Sequence, residues 1–295
     1  MKIGFFSVGI GPFAQPDLIK EVAVNAERLG FATIWASEHV VLFERFASQY
    51  PYARGEDLPV ALDIPFMNPF IALTYAAAHT TSIRLATGIC LVPQYHPLML
   101  AKIVGSLDCL SKGRVALGIG VGWLAEEFQA LGIPWERRSQ RTREYVDAMR
   151  EVWGKERSTY RGEFVQFEEV ICYPKPVRRA QLPVWAGGHS EAALKRAAEY
   201  CNGWCGLNLT LDETRKAIAR LRQLLKENGR DEENFEYLVS PVATTTPADL
   251  PRYRDAGVDE LYLTPLFGQT LDSSTGFGSL LEDLARRWVE PAANL

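Results

Sequence analysis

Ala32-Thr33-Ile34-Trp35-Ala36-Ser37-Glu38-His39 is the stretch that decides the fold. Its first half is a short apolar run rich in β-favouring residues, the pattern of a buried strand. Its end sets a carboxylate beside an imidazole, ahead of a long polar segment. In sheets and barrels of parallel strands, the carboxyl ends are where ligands bind and chemistry is done. The fold therefore turns on whether the rest of the chain repeats strand and helix around this rim.

Upstream, residues 2–8 read as a first strand that runs into a glycine-rich loop through Gly9 and Gly11. A helix follows, with Leu18, Val22, Ala26 and Leu29 at helical spacing and Gly30 as its stop. Downstream, strands are predicted over 83–91, 114–122, 183–188, 202–207, 235–241 and 260–264, each followed by a helical pattern. Eight strand–helix repeats predict an α/β chain folded as a (β/α)₈ barrel. Two additions interrupt the repeat. Residues 40–68 form a loop with Pro51, Pro59 and Pro65, whose rings Phe43, Phe46, Tyr50, Tyr52 and Phe66 suit a packed lid after the second strand. Residues 157–173 alternate polar and apolar around Gly162, as expected of a hairpin inserted after the fourth strand.

The 295 residues are 47% hydrophobic and 23% charged, ordinary for a soluble globular protein. A barrel commonly needs about 250 residues, and no composition break marks a boundary, so residues 1–295 are expected to form a single domain. A net charge of −4 offers no basic footprint for nucleic acid or an anionic membrane. No apolar run is long enough to cross a bilayer, and Met1-Lys2-Ile3-Gly4 leads straight into a strand with no signal peptide in front. The five cysteines are odd in number and lack metal-ligand or redox spacing, so reduced thiols in a cytoplasmic protein are expected.

Of the four histidines, His39, His96 and His189 each follow the end of a predicted strand, whereas His79 lies inside a helix. A metal site is not expected: Phe5-Phe6-Ser7 offers no ligand pair, and Glu38 with His39 is too small a set. No Gly-x-Ser-x-Gly turn supports nucleophilic catalysis. Glu126 and Glu127 are adjacent on a predicted helix and face different ways, which argues against a cooperating pair. Ala186-Gly187-Gly188-His189-Ser190 ends a strand and starts a helix, where exposed amides attract phosphate and Ser190 equally well forms a plain N-cap. Gly118-x-Gly120-x-Gly122 falls short of a dinucleotide fingerprint, but its alternate glycines let a flat ligand approach the backbone.

Several segments together resemble the bacterial luciferase-like family of flavin and deazaflavin barrel enzymes. They are Ile34-Trp35-Ala36-Ser37-Glu38-His39, Leu85-Ala86-Thr87-Gly88, Tyr95-His96-Pro97, Gly113 to Gly120, Arg141-x-x-Glu144-Tyr145, and Pro183-x-Trp185-x-Gly187-Gly188. Within that family the sequence is most similar to the branch that uses the deazaflavin coenzyme F420. The resemblance implies a ring bound in the barrel mouth and a cis peptide at Gly88–Ile89 against one ring face. It also implies Gly187, Gly188 and His189 at the phosphate, Glu38 at the cofactor tail or ring edge, and His39 near the reactive carbon. Gly120 joins this cofactor-binding set through the close approach its missing side chain allows.

The implied activity is hydride transfer between F420 and a small organic substrate, with His39 as acid or base tuned by Glu38 and burial. The alternative is FMN-dependent monooxygenation with a reductase supplying reduced cofactor, and a third reading is a flavin-binding barrel without catalysis. Sugar-phosphate dehydrogenases of the family carry a glutamate after the fourth-strand glycines; here Trp123 stands there, and Phe43 takes the place of a lid tryptophan. A less polar substrate is expected in consequence. Family members are commonly dimers, and a homodimer is expected here.

Overall fold

Eight parallel strands close on themselves in the computed structural model, which describes residues 1–6, 8–52, 62–230, 235–264 and 277–295. They are β1 (Lys2–Phe6), β2 (Thr33–Ala36), β3 (Arg84–Thr87), β4 (Val115–Gly120), β5 (Val184–Gly187), β6 (Gly203–Leu209), β7 (Glu236–Pro241) and β8 (Glu260–Leu263). Each pairs with the next, and β8 returns to β1 through Lys2↔Glu260 and Phe5↔Leu263. Helices connect the strands on the outside, so the chain is the expected (β/α)₈ barrel.

Alternation along each strand builds two cores. In β2, Ile34 and Ala36 face the helices while Trp35 points into the barrel, as a period of two requires. The interior holds Phe6, Trp35, Ala86, Ala116, Trp185, Cys205, Leu238 and Tyr262. Trp35 lies between Tyr262 and Trp185, with ring centroids 4.7 and 5.3 Å away. Beneath these rings, at the amino end of the barrel, buried Glu260 accepts hydrogen bonds from Thr33 Oγ1 (2.7 Å), Trp35 Nε1 (3.1 Å) and Arg84 (2.9 Å). That end is closed by a polar plug, and the interior is accessible from the carboxyl rim.

One departure from the sequence reading matters for the site. The third strand is not continuous over 83–91: β3 stops at Thr87, the Gly88–Ile89 peptide is cis, and Cys90–Leu91 then rejoins β4. After the fourth repeat, Ser158–Arg161 and Gln166–Val170 pair antiparallel. Glu144 accepts the amides of Glu163, Phe164 and Val165 at 2.6 to 2.9 Å and thereby pins the turn of that ribbon. Of the segment expected to form a lid, residues 53–61 lie outside the described residues, as does Ser7 at the end of the first strand. Residues 40–52 and 62–68 run without regular structure apart from a bridge between Ile10 and Phe66.

A carboxylate outside the barrel fixes the approach to β3. Glu27 accepts the amides of Thr81, Ser82 and Ile83 at 2.7 to 3.1 Å, and the Thr81 hydroxyl at 2.9 Å. Burial pushes its pKa up, but these four donors outweigh that and bring it from 4.5 down to about 2. Because the folded value lies below the unfolded one, the contribution is complete above about pH 4.5 and is lost as pH falls toward 2. Glu27→Gln is expected to cost about 1–2 kcal/mol at pH 7, solvent screening holding the effect to that range. Urea denaturation from pH 7 to 3 should show the gap to wild type closing as the wild-type carboxylate protonates.

Candidate active site

The carboxyl rim opens into a cavity of about 550 Å³, within the range of small-molecule sites. Its floor is the interior core: Phe6, Trp35, Cys205 and Tyr262. Glu38, His39, Gly88, Ile89, Gly120, Gly187, Gly188 and His189, which come from the ends of four different strands, all line it. The Ile89 side chain joins three of these strand ends. A Cβ on Gly120 would lie 2.0 Å from Ile89 Cδ1, and one on Gly187 would lie 2.9 Å from Ile89 Cγ2. Ile89 therefore lies across glycines of β4 and β5. His96 is elsewhere: it is exposed and caps the helix Pro97–Leu110, its Nδ1 accepting from Leu98 N at 3.3 Å. His79 ends the helix Pro69–Ala78 and stands edge-on to Tyr75.

His39 and Glu38 do not act on each other, which corrects the expectation that Glu38 tunes the imidazole. Adjacent residues in extended backbone point to opposite sides. Glu38 turns toward Cys90–Leu91, where it accepts the Leu91 amide at 2.7 Å and the Tyr95 hydroxyl. Burial raises its pKa, the two donors oppose that rise, and the charge of Glu127 adds to it. His39 Nδ1 instead meets Glu127 Oε2 at 3.3 Å, across 88 residues of sequence. The Glu127 side chain is fully buried. Its Oε1 accepts Val40 N at 2.6 Å and Val41 N at 3.3 Å, and its Oε2 also accepts Gln94 Nε2 at 3.1 Å. Burial pushes the Glu127 carboxyl up, yet the hydrogen bonds and charge of His39 and its other donors bring the net shift downward. It is a carboxylate at neutral pH.

Glu126, its neighbour on the short helix Ala125–Ala130, faces away and accepts Ala47 N (2.6 Å) and Ser48 Oγ (2.7 Å). The two carboxylates diverge, as adjacent positions on a helix require. Each has its own target on the segment after β2, and neither target is visible from helical spacing.

Aromatic rings in edge contact run along the cavity. Phe66 and Trp123 each stand edge-on to His39 with centroids 5.7 Å away. Trp123 continues to Tyr50 (5.2 Å), Tyr50 to Tyr52 (5.4 Å) and Tyr52 to His189 (5.4 Å). Burial pushes the Tyr52 hydroxyl up to about 12, so it stays a neutral donor. Phe43 is not among the lining residues. Cys205 lines the floor, but burial pushes its thiol up to about 12, which removes it as a nucleophile.

At the far end of this row, Gly187-Gly188-His189-Ser190 makes the turn into the helix Glu191–Tyr200. Gly188 has φ +98°, a conformation that suits glycine, and Ser190 Oγ caps Ala193 N at 3.3 Å. Arg138 and Arg196 reach the cavity beside the turn. Arg138 bonds the Gly122 carbonyl (3.3 Å) and stacks on Trp135, and Arg196 meets Ser139 Oγ at 3.4 Å. Among the described residues neither pairs with a carboxylate. Burial, and then the charges of Arg196 and Arg141, lower the pKa of Arg138, as expected for cations crowded without a counter-ion. Helix amides with two guanidinium groups form a donor set suited to a phosphate. The two arginines escaped the sequence reading because Arg138 sits in a basic run with acidic neighbours.

No group of three or more metal-ligating side chains occurs among the described residues. Nor is any described helix long and apolar enough to cross a membrane.

Comparison with known proteins agrees with this architecture. An uncharacterised protein of Mycobacterium tuberculosis (strain ATCC 25618 / H37Rv) is 33% identical over 265 residues, covering 89% of this chain and 90% of that protein. The coenzyme F420-dependent tetrahydromethanopterin reductase of Methanopyrus kandleri superposes with a TM-score of 0.75 at 16% identity, covering 98% of both chains. The FMN-bound oxygenating constituent of 3,6-diketocamphane monooxygenase from Pseudomonas putida superposes with a TM-score of 0.63 at 19% identity, covering 85% of this chain and 70% of that one. The family profile described as luciferase-like monooxygenase matches residues 5–276, and the chain belongs to that family.

Proposed function

We propose that this protein is an oxidoreductase that moves a hydride between the deazaflavin coenzyme F420 and a small uncharged organic substrate, with His39 as the proton acceptor or donor. The observation that carries this reading is one ring-lined cavity with a carboxylate-backed imidazole at one end and an arginine-flanked helix turn at the other. When bound, the cofactor supplies a carbon that accepts or returns a hydride. The cis Gly88–Ile89 segment, Gly120 and Gly187 would border its ring. The amides from His189 into the first turn of the helix Glu191–Tyr200, with Arg138 and Arg196, would hold its phosphate. Glu38 would face the ring edge. His39 would take the proton of a substrate hydroxyl as the carbon beside it is oxidised, and return it in the reverse direction.

The surroundings of His39 select against anions. Its ring neighbours are Phe66 and Trp123, its Nδ1 meets the carboxylate of Glu127, and no cation contacts it among the described residues. A sugar phosphate would bring charge where nothing compensates it, whereas an alcohol or ketone with an apolar body fits. F420 is favoured over FMN because its longer tail carries negative charge beyond the shared phosphate, and one of the two guanidinium groups would meet that extra charge.

Equilibrium dialysis against F420 and against FMN, followed by washing and visible absorbance, tests the reading. F420 is expected to remain bound, and retention of FMN alone overturns the deazaflavin assignment. Arg196→Ala is expected to weaken F420 about 10-fold or more through loss of a charge-assisted contact, with Arg138→Ala acting in the same direction.

A further inference from the structure

We propose that Glu127 is the positioning residue for His39, holding the imidazole in the tautomer protonated at Nδ1 so that Nε2 receives the substrate proton. The inference rests on the reading of His39 as the base. A neutral imidazole donates from one nitrogen and accepts at the other, and the group facing one nitrogen decides which. Glu127 is fully buried and can only accept, so the Nδ1 that faces its Oε2 at 3.3 Å must donate. Nε2 is then an acceptor, and it has no hydrogen bond to protein among the described residues.

The other bonds to this carboxylate make the arrangement testable. Oε1 is committed to two backbone donors, Val40 N and Val41 N. In Glu127→Gln the amide oxygen stays on those donors, since an NH₂ there would face two N–H groups. The amide NH₂ then faces His39 Nδ1 and donates to it. That forces the opposite tautomer, with the proton on Nε2 and the base converted into a donor. Gln94 does not block the exchange: its Nε2 donates to Glu127 now, its Oε1 is buried without a partner among the described residues, and an amide flip lets it accept instead. The substitution thus keeps volume and the segment after β2 while reversing one proton.

The experiment uses the full chain reconstituted with F420 and a substrate alcohol. Glu127→Gln is expected to lower kcat at least about 10²-fold, as loss of a tautomer-fixing carboxylate does elsewhere, with little change in KM or F420 affinity. Nitrogen NMR of the ring should move the His39 proton from Nδ1 to Nε2. Glu126→Gln is the control, because Glu126 anchors the same segment at Ala47 and Ser48 without touching His39. It should keep the wild-type tautomer. Equal losses in both variants, or an unchanged tautomer or unchanged kcat in Glu127→Gln, overturn the proposal. Full turnover in His39→Ala would instead remove the base itself, so failure of the underlying reading is told apart from failure of this one.

Discussion

Replacing His39 with alanine is expected to reduce turnover by about 10²–10⁴-fold, the usual contribution of a positioned acid–base group. Cofactor affinity should barely change. The imidazole stands at the Phe66–Trp123 end of the row of rings, while the turn Gly187 to Ser190 stands at the other. Loss of the ring also removes one of the two partners on Glu127 Oε2, but Val40 N, Val41 N and Gln94 Nε2 still satisfy that carboxylate. The variant should therefore fold and bind, which separates chemistry from assembly. Steady-state kinetics beside dialysis with the cofactor measures both. Wild-type turnover in this variant would end the assignment of His39 as the base, and a parallel collapse of cofactor binding would make the residue a binding group instead.

The largest stability effect is expected at a residue with no chemistry at all. A Cβ on Gly118 would lie 2.0 Å from the backbone carbonyl oxygen of Thr87, in the β3–β4 pair next to the cis peptide. Nothing flexible can give way there: the obstacle is main chain, and the Thr87 hydroxyl is already bonded to the Gly118 carbonyl at 2.7 Å. Gly118→Ala should cost about 3 kcal/mol or more, the upper range for an overpacked core site. Gly154→Ala makes a fair comparison, since its Cβ would approach only Ala180 Cβ, at 3.3 Å, and should stay within about 1 kcal/mol of wild type. Urea midpoints of the two variants check this. Equal stabilities would show that β3 and β4 can separate without loss.

Gly118 also shows where sequence reasoning about a motif stops. The run Gly118-x-Gly120-x-Gly122 suggested a surface for a flat ligand. The three glycines turn out to serve three neighbours: the Thr87 carbonyl, the Ile89 side chain and, at a φ of +82°, the Phe128 ring. Only Gly120 and Gly122 reach the cavity. A repeat of small residues declares that something comes close. It does not say what.

The barrel itself was legible because its signals are local. Apolar alternation, helical spacing and glycine stops lie within windows of about ten residues, and they place Glu38, His39, Gly120 and Gly187 to His189 at carboxyl rims by position alone. The grouping of those residues around one cavity followed from closure of the ring, which any complete set of eight repeats imposes. Pairings between distant side chains were not legible. Glu127 reaches His39, Glu38 turns to Tyr95, and Arg138 and Arg196 converge on one turn only after helices have packed on strands. Sequence therefore determined which residues reach the rim, through the periods of strand and helix. Tertiary packing alone decided which of them meet, because hydrogen bonds and charges act over a few ångströms of space, whatever the distance along the chain.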